Sequence, residues 1–237
     1  MPVIRLEQPG KRELHLWYLH LGTLGGALRH ALVGDKEPVG HALPGVRQLR
    51  FTRRFYLRLL LGAYLGVPGK DVEVNRSNRG KPVLDLSVHD SDLQFSMAKS
   101  EDRILIGISA SHSLGVDLEP EGRVAREPLR LAERYFSPAE YEQLKSVAPE
   151  RVDAAFLHAW AGNEAVVKAS GLGIANQLCR FTLQMDPDLP PAVLAMEDGN
   201  AAEWTLKMVR PSAGFVGAVA TRQPVNRISC FRLLPAA

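Results

Sequence analysis

The strongest constraint on the fold of this chain is a pair of carboxylates two residues apart in an apolar setting. Asp117 and Glu119 flank Leu118 shortly after the apolar run 104–108. On a β-strand, residues i and i+2 point to the same face, so the two carboxylates would lie side by side. Carboxylates placed in this way repel each other unless a cation or a base lies between them. The segment predicts a buried strand with an acidic face, ended by Pro120. Two solvent-facing acids at a strand end are the alternative.

A second feature lies in a predicted helix that covers residues 151–170 and ends at Gly171. Glu164 and Lys168 are four residues apart, which places both side chains on one face of that helix. The alternative is a surface ion pair worth about 0.3–0.5 kcal/mol. Trp160 lies on the same stripe, so we expect the stripe to face protein or a cleft. Three carboxylates and one lysine can together hold a hard divalent cation, such as magnesium, and a phosphate group.

Composition narrows the class of protein. The 237 residues are 46% hydrophobic and 23% charged, as in globular domains. No apolar run approaches the roughly 20 residues of a membrane helix, and the N-terminus lacks the pattern of a secretory signal. Only two cysteines are present, Cys179 and Cys230, so a disulfide framework is not expected. These features predict a cytoplasmic protein without a membrane partner.

Charge is distributed unevenly along the chain. Residues 1–90 hold 14 Lys and Arg against 8 Asp and Glu, whereas the remainder holds 15 against 18. A basic first part suits a polyanionic ligand or an acidic protein partner. The basic residues belong to no nucleic-acid recognition motif, such as paired RNA-binding aromatics or zinc-finger spacing. Nucleic acid is therefore not expected as a partner.

The order of predicted elements indicates an α+β fold with two similar halves, residues 1–120 and 121–237. In the first half, a helix over 46–65 precedes short strands that lead to the acidic strand. In the second half, Ser137-Pro138-Ala139-Glu140 has the pattern of a helix start, and the long helix then precedes several short strands. Each half offers a long helix against a small, mainly antiparallel sheet. No low-complexity linker divides the halves, so we expect them to pack as one unit.

Three local predictions concern the first half. Gly and Pro punctuate residues 22–45, which predicts irregular chain there. The helix over 46–65 is predicted to have an apolar side that includes Phe51, Phe55 and Leu59. Gly80-Lys81-Pro82 lacks the glycine spacing and the following Ser or Thr of a Walker motif. Taken alone, it is a turn with a solvated lysine.

Together, these motifs resemble those of the Sfp-type 4'-phosphopantetheinyl transferases, which modify carrier proteins using coenzyme A. The resemblance extends from about Arg50 to Gly173, and residues 215–220 show a weaker similarity. The segments that carry it are Arg54-Phe55-Tyr56-Leu57-Arg58 before Tyr64-Leu65-Gly66, Gly80-Lys81-Pro82, Gly115-Val116-Asp117-Leu118-Glu119, Phe136-Ser137-Pro138-Ala139-Glu140, and Trp160 to Gly173. As a set, these motifs are specific to the family.

For the fold and the reaction centre, the resemblance implies a pseudo-twofold α+β fold with coenzyme A bound between the halves. It implies that Asp117, Glu119 and Glu164 are ligands of Mg²⁺ at the pyrophosphate. Glu164 and Lys168 would be the catalytic residues. A carboxylate such as Glu164 can accept the proton of a substrate serine, directly or through water.

For the binding of coenzyme A, the resemblance implies that Arg54 and Lys168 contact phosphate groups. Lys81 and Pro82 belong to a turn that lies beside the adenine in the family. Lys99 and Ser100 stand where the family usually has the last two residues of a Ser-His-Ser segment that contacts phosphate. The six expected cofactor-binding residues are therefore Arg54, Lys81, Pro82, Lys99, Ser100 and Lys168.

The activity implied is magnesium-dependent transfer of 4'-phosphopantetheine from coenzyme A to a serine of an acyl or peptidyl carrier protein, with release of adenosine 3',5'-bisphosphate. The pathway can be fatty acid, polyketide or nonribosomal peptide synthesis. One chain can complete the site, so we expect a monomer. Two departures are Lys99 in place of a family histidine and Asn163 in place of a lysine, which removes a cation. The alternative is a divergent member that binds coenzyme A or a carrier protein without transfer, or with different chemistry.

Overall fold

A computed structural model describes residues 5–24, 44–123, 125–171, 173 and 177–234 of the chain. Most of the segment predicted to be irregular, residues 25–43, lies outside these ranges, as does Leu172 of the family-like helix segment. The described residues form helices and several small sheets, so the α+β class is confirmed.

In the part of the chain that the structure describes, the first half runs from strand β1 to strand β6, and a long helix lies between β1 and β2. The elements are β1 (Glu13–His20), α1 (Pro44–Leu65), β2 (Val74–Arg76), β3 (Pro82–Leu84), β4 (Gln94–Ser100), β5 (Arg103–Ser109) and β6 (Leu114–Pro120). Strands β2 and β3 form a short antiparallel hairpin, and β4 and β5 form a longer one.

The second half begins with helices and ends with strands. The elements are α2 (Pro128–Tyr135), α3 (Pro138–Ser146), α4 (Val152–Ser170), β7 (Phe181–Leu183), β8 (Val193–Met196), β9 (Thr205–Ser212), β10 (Phe215–Thr221) and β11 (Arg227–Arg232). Helix α3 starts with the predicted capping box, in which Ser137 and Glu140 each accept from the other's backbone N–H. In both halves a long helix precedes a short hairpin, a longer hairpin and a final strand. This order suits the pseudo-twofold relation, which itself stays a prediction.

Two larger sheets join the halves. One has the strand order β11-β1-β5-β4, and the other has the order β6-β10-β9. Strand β11 pairs with β1 in parallel, whereas β6 pairs with β10 antiparallel, with Asp117 opposite Ala218. Each sheet thus contains strands from both sides of residue 120. The boundary at residue 120 stays a prediction, and these pairings bind the two segments into one unit.

Helix α1 buries a different face from the one predicted. Its buried apolar side chains are Tyr56, Leu57, Leu60, Leu61 and Tyr64, which pack against β1, β4 and β5. Phe51 and Leu59 are exposed, so the predicted apolar side was wrong for these two residues. The buried positions follow the i, i+3, i+4, i+7 pattern of a helix face from residue 57 onward. The exposed pair belongs to a neighbouring row on the helix surface.

Helix α4 packs directly against β6, and this contact positions the acidic residues. A Cβ added at Gly115 would lie only 1.9 Å from the carbonyl oxygen of Ala165 and 2.5 Å from the backbone nitrogen of Ala169. Only a glycine allows strand and helix backbones to approach this closely. The close approach brings the middle of β6 beside the last two turns of α4.

Trp160 confirms that the predicted helix stripe faces protein. Its ring packs against Tyr135, Phe136 and Phe156, with ring centroids 5.8–6.3 Å apart. These aromatic groups belong to the core of the second half, together with much of α4. Among the helices in the described ranges, none is long and apolar enough to cross a membrane.

Candidate functional site

An ion pair between α4 and β6 forms the centre of the site. Lys168 Nζ donates to Asp117 Oδ1 at 2.6 Å and lies 3.4 Å from Glu164 Oε2. One ammonium group is therefore shared by two carboxylates that are 47 positions apart in sequence. The structure brings together the strand acid and the helix pair that the sequence singled out separately.

Burial shifts the pKa of two carboxyl groups at this centre. Asp117 and Glu164 are 6% and 9% exposed. Burial raises the pKa of Asp117, while the ammonium group of Lys168 opposes that change. Burial also raises the pKa of Glu164, and the negative charge of Asp117 acts in the same direction. Without Lys168, two buried carboxylates would repel each other across a small gap.

The same environment also shifts the pKa of the Lys168 ammonium group. Burial alone would lower its pKa, but the carboxylates of Asp117 and Glu164 outweigh burial and raise the pKa above its ordinary value. Lys168 is therefore a fixed positive charge at neutral pH. Its charge makes the burial of both acids possible.

Glu119 lies on the same face of β6 as Asp117, as the strand spacing predicted. It is 9% exposed, and its Oε2 accepts a hydrogen bond from Arg123 Nη1 at 2.6 Å. Burial raises the pKa of Glu119; Arg123 opposes that change and the charge of Asp117 reinforces it. Arg123 was not identified from the sequence, because its contact depends on how the chain turns after β6.

The carboxylates of this centre offer donor atoms for a metal ion. Asp117 Oδ2 is buried and accepts no hydrogen bond from the described residues, which leaves one carboxylate oxygen available to a cation. Carboxylate oxygens are the ligands that magnesium prefers. In the described ranges, however, no three His, Cys, Asp or Glu side chains are already arranged around a metal position. The donor set fits a hard cation, and magnesium stays a prediction.

A cavity of about 240 Å³ opens beside the ion pair. The hairpin β2–β3 and the end of α4 form its walls; the lining residues include Lys81, Pro82, Met97, Lys168 and Gly171. Two predicted cofactor-binding residues, Lys81 and Pro82, thus lie on the same cavity as the catalytic candidate Lys168. The cavity lies at the contact between segments of the first and second halves.

The remaining cofactor-binding candidates are not among the described residues that line this cavity. Arg54 is exposed on α1, Lys99 is exposed on β4 and Ser100 is half-buried at the end of β4. Arg53, which was not among the sequence candidates, is half-buried beside other arginines. Burial lowers its pKa, as do the charges of Arg50 and Arg76.

Asn163 does not face the carboxylate centre, and the expected effect of the missing lysine on the charge of the site stays a prediction. Asn163 is fully buried in the core of the second half, and its Nδ2 donates to Glu140 Oε1 at 2.9 Å. Glu140 is also fully buried and accepts from the backbone of Ser137 and Leu183. Burial raises the pKa of Glu140 to about 7. Residue 163 is one position from Glu164, about 100° around the helix, and so faces elsewhere.

Comparison with known proteins shows the family to which this chain belongs. A family model described as the 4'-phosphopantetheinyl transferase superfamily matches residues 113–220, which include β6, α4 and β10. The 4'-phosphopantetheinyl transferase HetI of Nostoc sp. is 33% identical over 214 residues, which cover 88% of this chain and 87% of HetI. The 4'-phosphopantetheinyl transferase psf-1 of Bacillus pumilus is 29% identical over 183 residues, 75% of each chain. The narrower Sfp type is consistent with these relatives and stays a prediction. The chain belongs to the 4'-phosphopantetheinyl transferase superfamily, a family of transferases.

Proposed function

We propose that this protein transfers the 4'-phosphopantetheine arm of coenzyme A to a serine of an acyl or peptidyl carrier protein. The serine oxygen forms a bond to the phosphorus that carries the pantetheine arm. The phosphorus–oxygen bond to the nucleotide breaks, and adenosine 3',5'-bisphosphate leaves with the bonding electrons. The observation that carries the proposal is the Lys168–Asp117–Glu164 cluster beside a cavity, in a member of this transferase family.

Magnesium is part of the proposal, with Asp117, Glu119 and Glu164 as its protein ligands. Three carboxylates on facing elements, one with an unsatisfied buried oxygen, provide the hard oxygen donors that this ion requires. When bound, magnesium would neutralise the negative charge of the pyrophosphate oxygens as a Lewis acid. The raised pKa values of the three carboxyl groups also indicate that added positive charge would favour their ionised forms.

Glu164 is the proposed general base. Burial raises the pKa of its carboxyl group, which makes its carboxylate a stronger proton acceptor than one in water. The carboxylate would take the proton from the serine hydroxyl, directly or through one water. Lys168 holds this carboxylate on the face of α4 that meets Asp117. The side chain that accepts the proton is therefore oriented before substrate binds.

Binding of coenzyme A is proposed to use the basic side chains around α1 and β4, with Arg54, Lys99 and Ser100 as phosphate contacts. Arg53 adds support from the structure, since its pKa is lowered by burial and by two neighbouring arginines. Such a group of like charges is relieved by a bound anion. Phosphate groups of a nucleotide are anions of suitable charge and hydrogen-bonding capacity.

We also propose that the protein acts as a cytoplasmic monomer. One chain supplies Asp117, Glu164 and Lys168 to the same centre, so no second subunit is needed to complete it. The sequence holds only two cysteines, which suits a reducing compartment. Size-exclusion chromatography with light scattering would test the oligomeric state. A stable dimer would contradict the monomer proposal.

Mass spectrometry of an apo carrier protein tests the function. The carrier protein is incubated with this protein, coenzyme A and magnesium, and a gain of one phosphopantetheine arm on serine is expected. Chelation of the metal and the substitution Asp117→Asn should each prevent the gain, whereas Asp153→Asn, at an exposed position on α4, should not. If coenzyme A binds but no acyl or peptidyl carrier protein gains the arm, the non-transferring alternative is correct.

A further inference from the structure

Lys81 does not extend into solvent, as a lysine in an isolated turn would. Its Nζ donates to the backbone oxygen of Leu114 at 2.8 Å and to the backbone oxygen of Lys168 at 2.9 Å. The hydroxyl oxygen of Ser113 lies 3.5 Å away as a third, longer acceptor. One ammonium group thus connects the start of β6 with the last turn of α4.

The backbone of Lys81 is held in place by its own turn. Lys81 N donates to Ser77 Oγ at 3.1 Å, and Ser77 N donates to the carbonyl oxygen of Lys81 at 2.8 Å. Gly80 has a φ of 83°, a left-handed conformation that suits glycine. Pro82 then begins β3. This fixed turn directs the lysine side chain toward the contact between β6 and α4.

The last turn of α4 requires partners from outside the helix. The final carbonyl groups of any α-helix lack intrahelical donors, and a positive charge there is favourable. Lys81 donates to the carbonyl of Lys168, and Ser113 Oγ donates to the carbonyl of Ala169 at 2.7 Å. Thr221 Oγ1 in turn donates to the carbonyl of Ser113 at 2.8 Å. Lys81 and Ser113 therefore satisfy the end of α4 and attach it to neighbouring strands.

We propose that Lys81 is a positioning residue, whose ammonium group fastens the end of α4 to the start of β6 and so holds Lys168 in register with Asp117. The residue whose carbonyl it binds, Lys168, carries the ammonium group of the ion pair. The other bound carbonyl, of Leu114, is three residues before Asp117. The Lys81 side chain thus holds the backbone at Lys168 itself and at a position three residues before Asp117.

This role differs from a direct contact with a phosphate group of coenzyme A. Two of the three N–H donors of Lys81 are used at 2.8 and 2.9 Å, and the third has an acceptor at the limit of hydrogen-bond distance. Burial lowers the pKa of Lys81 to about 8, which agrees with an ammonium group inside the protein rather than on its surface. Lys81 lines the cavity beside Lys168. Because its ammonium group binds backbone carbonyls, that group is part of the cavity wall.

The test uses Lys81→Met, with Lys70→Met at an exposed position as the matched control. This inference rests on the proposed transferase function for its kinetic part. We expect kcat to fall about 10- to 100-fold, since small misplacements of catalytic groups have effects of this size. The KM for coenzyme A should change by less than about threefold. A rise in KM with unchanged kcat would overturn the proposal in favour of a substrate contact.

Two further measurements separate positioning from general loss of structure and from failure of the proposed function. In Lys81→Ala, ethylammonium ions should restore part of kcat, whereas tetramethylammonium, which has no N–H donor, should not. Hydrogen exchange should be at least about tenfold faster at residues 115–118 and 169–170 in Lys81→Met than in Lys70→Met. If the wild type transfers nothing, the proposed function fails, and the exchange measurement still decides the role of Lys81. Unchanged exchange at these residues would refute the positioning role.

Lys81→Gln is the second variant, for the case in which Lys81→Met does not fold. The glutamine amide keeps two N–H donors but carries no charge. We expect Lys81→Gln to fold. Its exchange rates should lie between those of the wild type and those of a protein in which no side chain at position 81 binds the carbonyls of Leu114 and Lys168. Exchange rates equal to those of the wild type, together with a wild-type kcat, would contradict the requirement for the ammonium group.

Discussion

Lys168 on α4 lies 2.6 Å from Asp117 on β6, and this contact joins the long helix of the second half to the last strand of the first. The same ammonium group lies 3.4 Å from Glu164, one helical turn earlier on α4. A lysine between two buried acids compensates their repulsion and favours their ionised forms. The side chains that hold β6 against α4 are therefore also the proposed catalytic and metal-binding groups.

Removal of the lysine is expected to destabilise the protein in a way that metal reverses. Lys168→Met leaves Asp117 and Glu164 buried without their cation, which should lower the free energy of unfolding by about 3–5 kcal/mol. Magnesium bound between the carboxylates should restore part of this loss. Urea unfolding with and without magnesium measures both effects. Lys207→Met, at an exposed position of β9, is the control, and an equal response to magnesium in both variants would contradict this expectation.

Substitution of the central acid should affect transfer more than folding. In Asp117→Asn, the amide keeps the shape of the side chain but removes one charge from the proposed metal ligands. We expect the transfer rate to fall at least about 100-fold, the size of effect seen when one preorganised electrostatic contact is lost. Calorimetry should show weaker magnesium binding, with Asp153→Asn unchanged. A variant that binds magnesium as well as the wild type would remove Asp117 from the ligand set.

The close contact of β6 with α4 predicts a large difference between two glycine substitutions. In Gly115→Ala the added Cβ would lie 1.9 Å from the carbonyl oxygen of Ala165, so strand and helix must separate. We expect a loss of about 3 kcal/mol or more in the free energy of unfolding. Gly122→Ala is the control, because no heavy atom lies within 4 Å of its added Cβ. Thermal unfolding of both variants measures the difference, and similar stabilities would be evidence against this packing.

Glu140 is expected to make stability fall as pH rises. Burial raises its pKa from 4.5 to about 7, so the folded state binds a proton that the unfolded state releases. The stabilisation is fully present below pH 4.5 and is lost as pH rises through about 7. A shift of this size corresponds to a change on the order of 3 kcal/mol. Urea unfolding between pH 4 and 8 should show this slope in the wild type and a flatter one in Glu140→Gln. Equal slopes would exclude Glu140 as its source.

Asn163→Lys is expected to change the same pH dependence and to leave transfer nearly unchanged. A lysine there would place an ammonium group next to Glu140 instead of at the Lys168 centre, since Asn163 Nδ2 lies 2.9 Å from Glu140 Oε1. The added charge should lower the pKa of Glu140 and flatten the decline in stability with pH. Steady-state transfer assays should stay within about twofold of the wild type. A larger change in rate would show that residue 163 influences the catalytic centre.

Local pattern was sufficient to predict several of the elements and to single out Asp117, Glu164 and Lys168, which the structure brings together. The alternation around Asp117 and Glu119, the four-residue spacing of Glu164 and Lys168, and the cap at Ser137 each depend on neighbours within one or two turns. Helical and strand periodicity, together with backbone capping, are local properties of a chain. For this reason the bounds of β6 and α4 and the start of α3 agree closely with the predicted ones.

The directions of several side chains depended instead on contacts between residues far apart in sequence. Lys81 turns toward carbonyls 33 and 87 residues away, Asn163 faces Glu140 rather than the site, and Phe51 remains outside the core. Sequence spacing places a side chain on one face of an element, but it does not say what packs against that face. Burial of a donor, acceptor or charge without a partner costs free energy. Each buried polar side chain therefore points toward a partner that the tertiary packing places within hydrogen-bond distance.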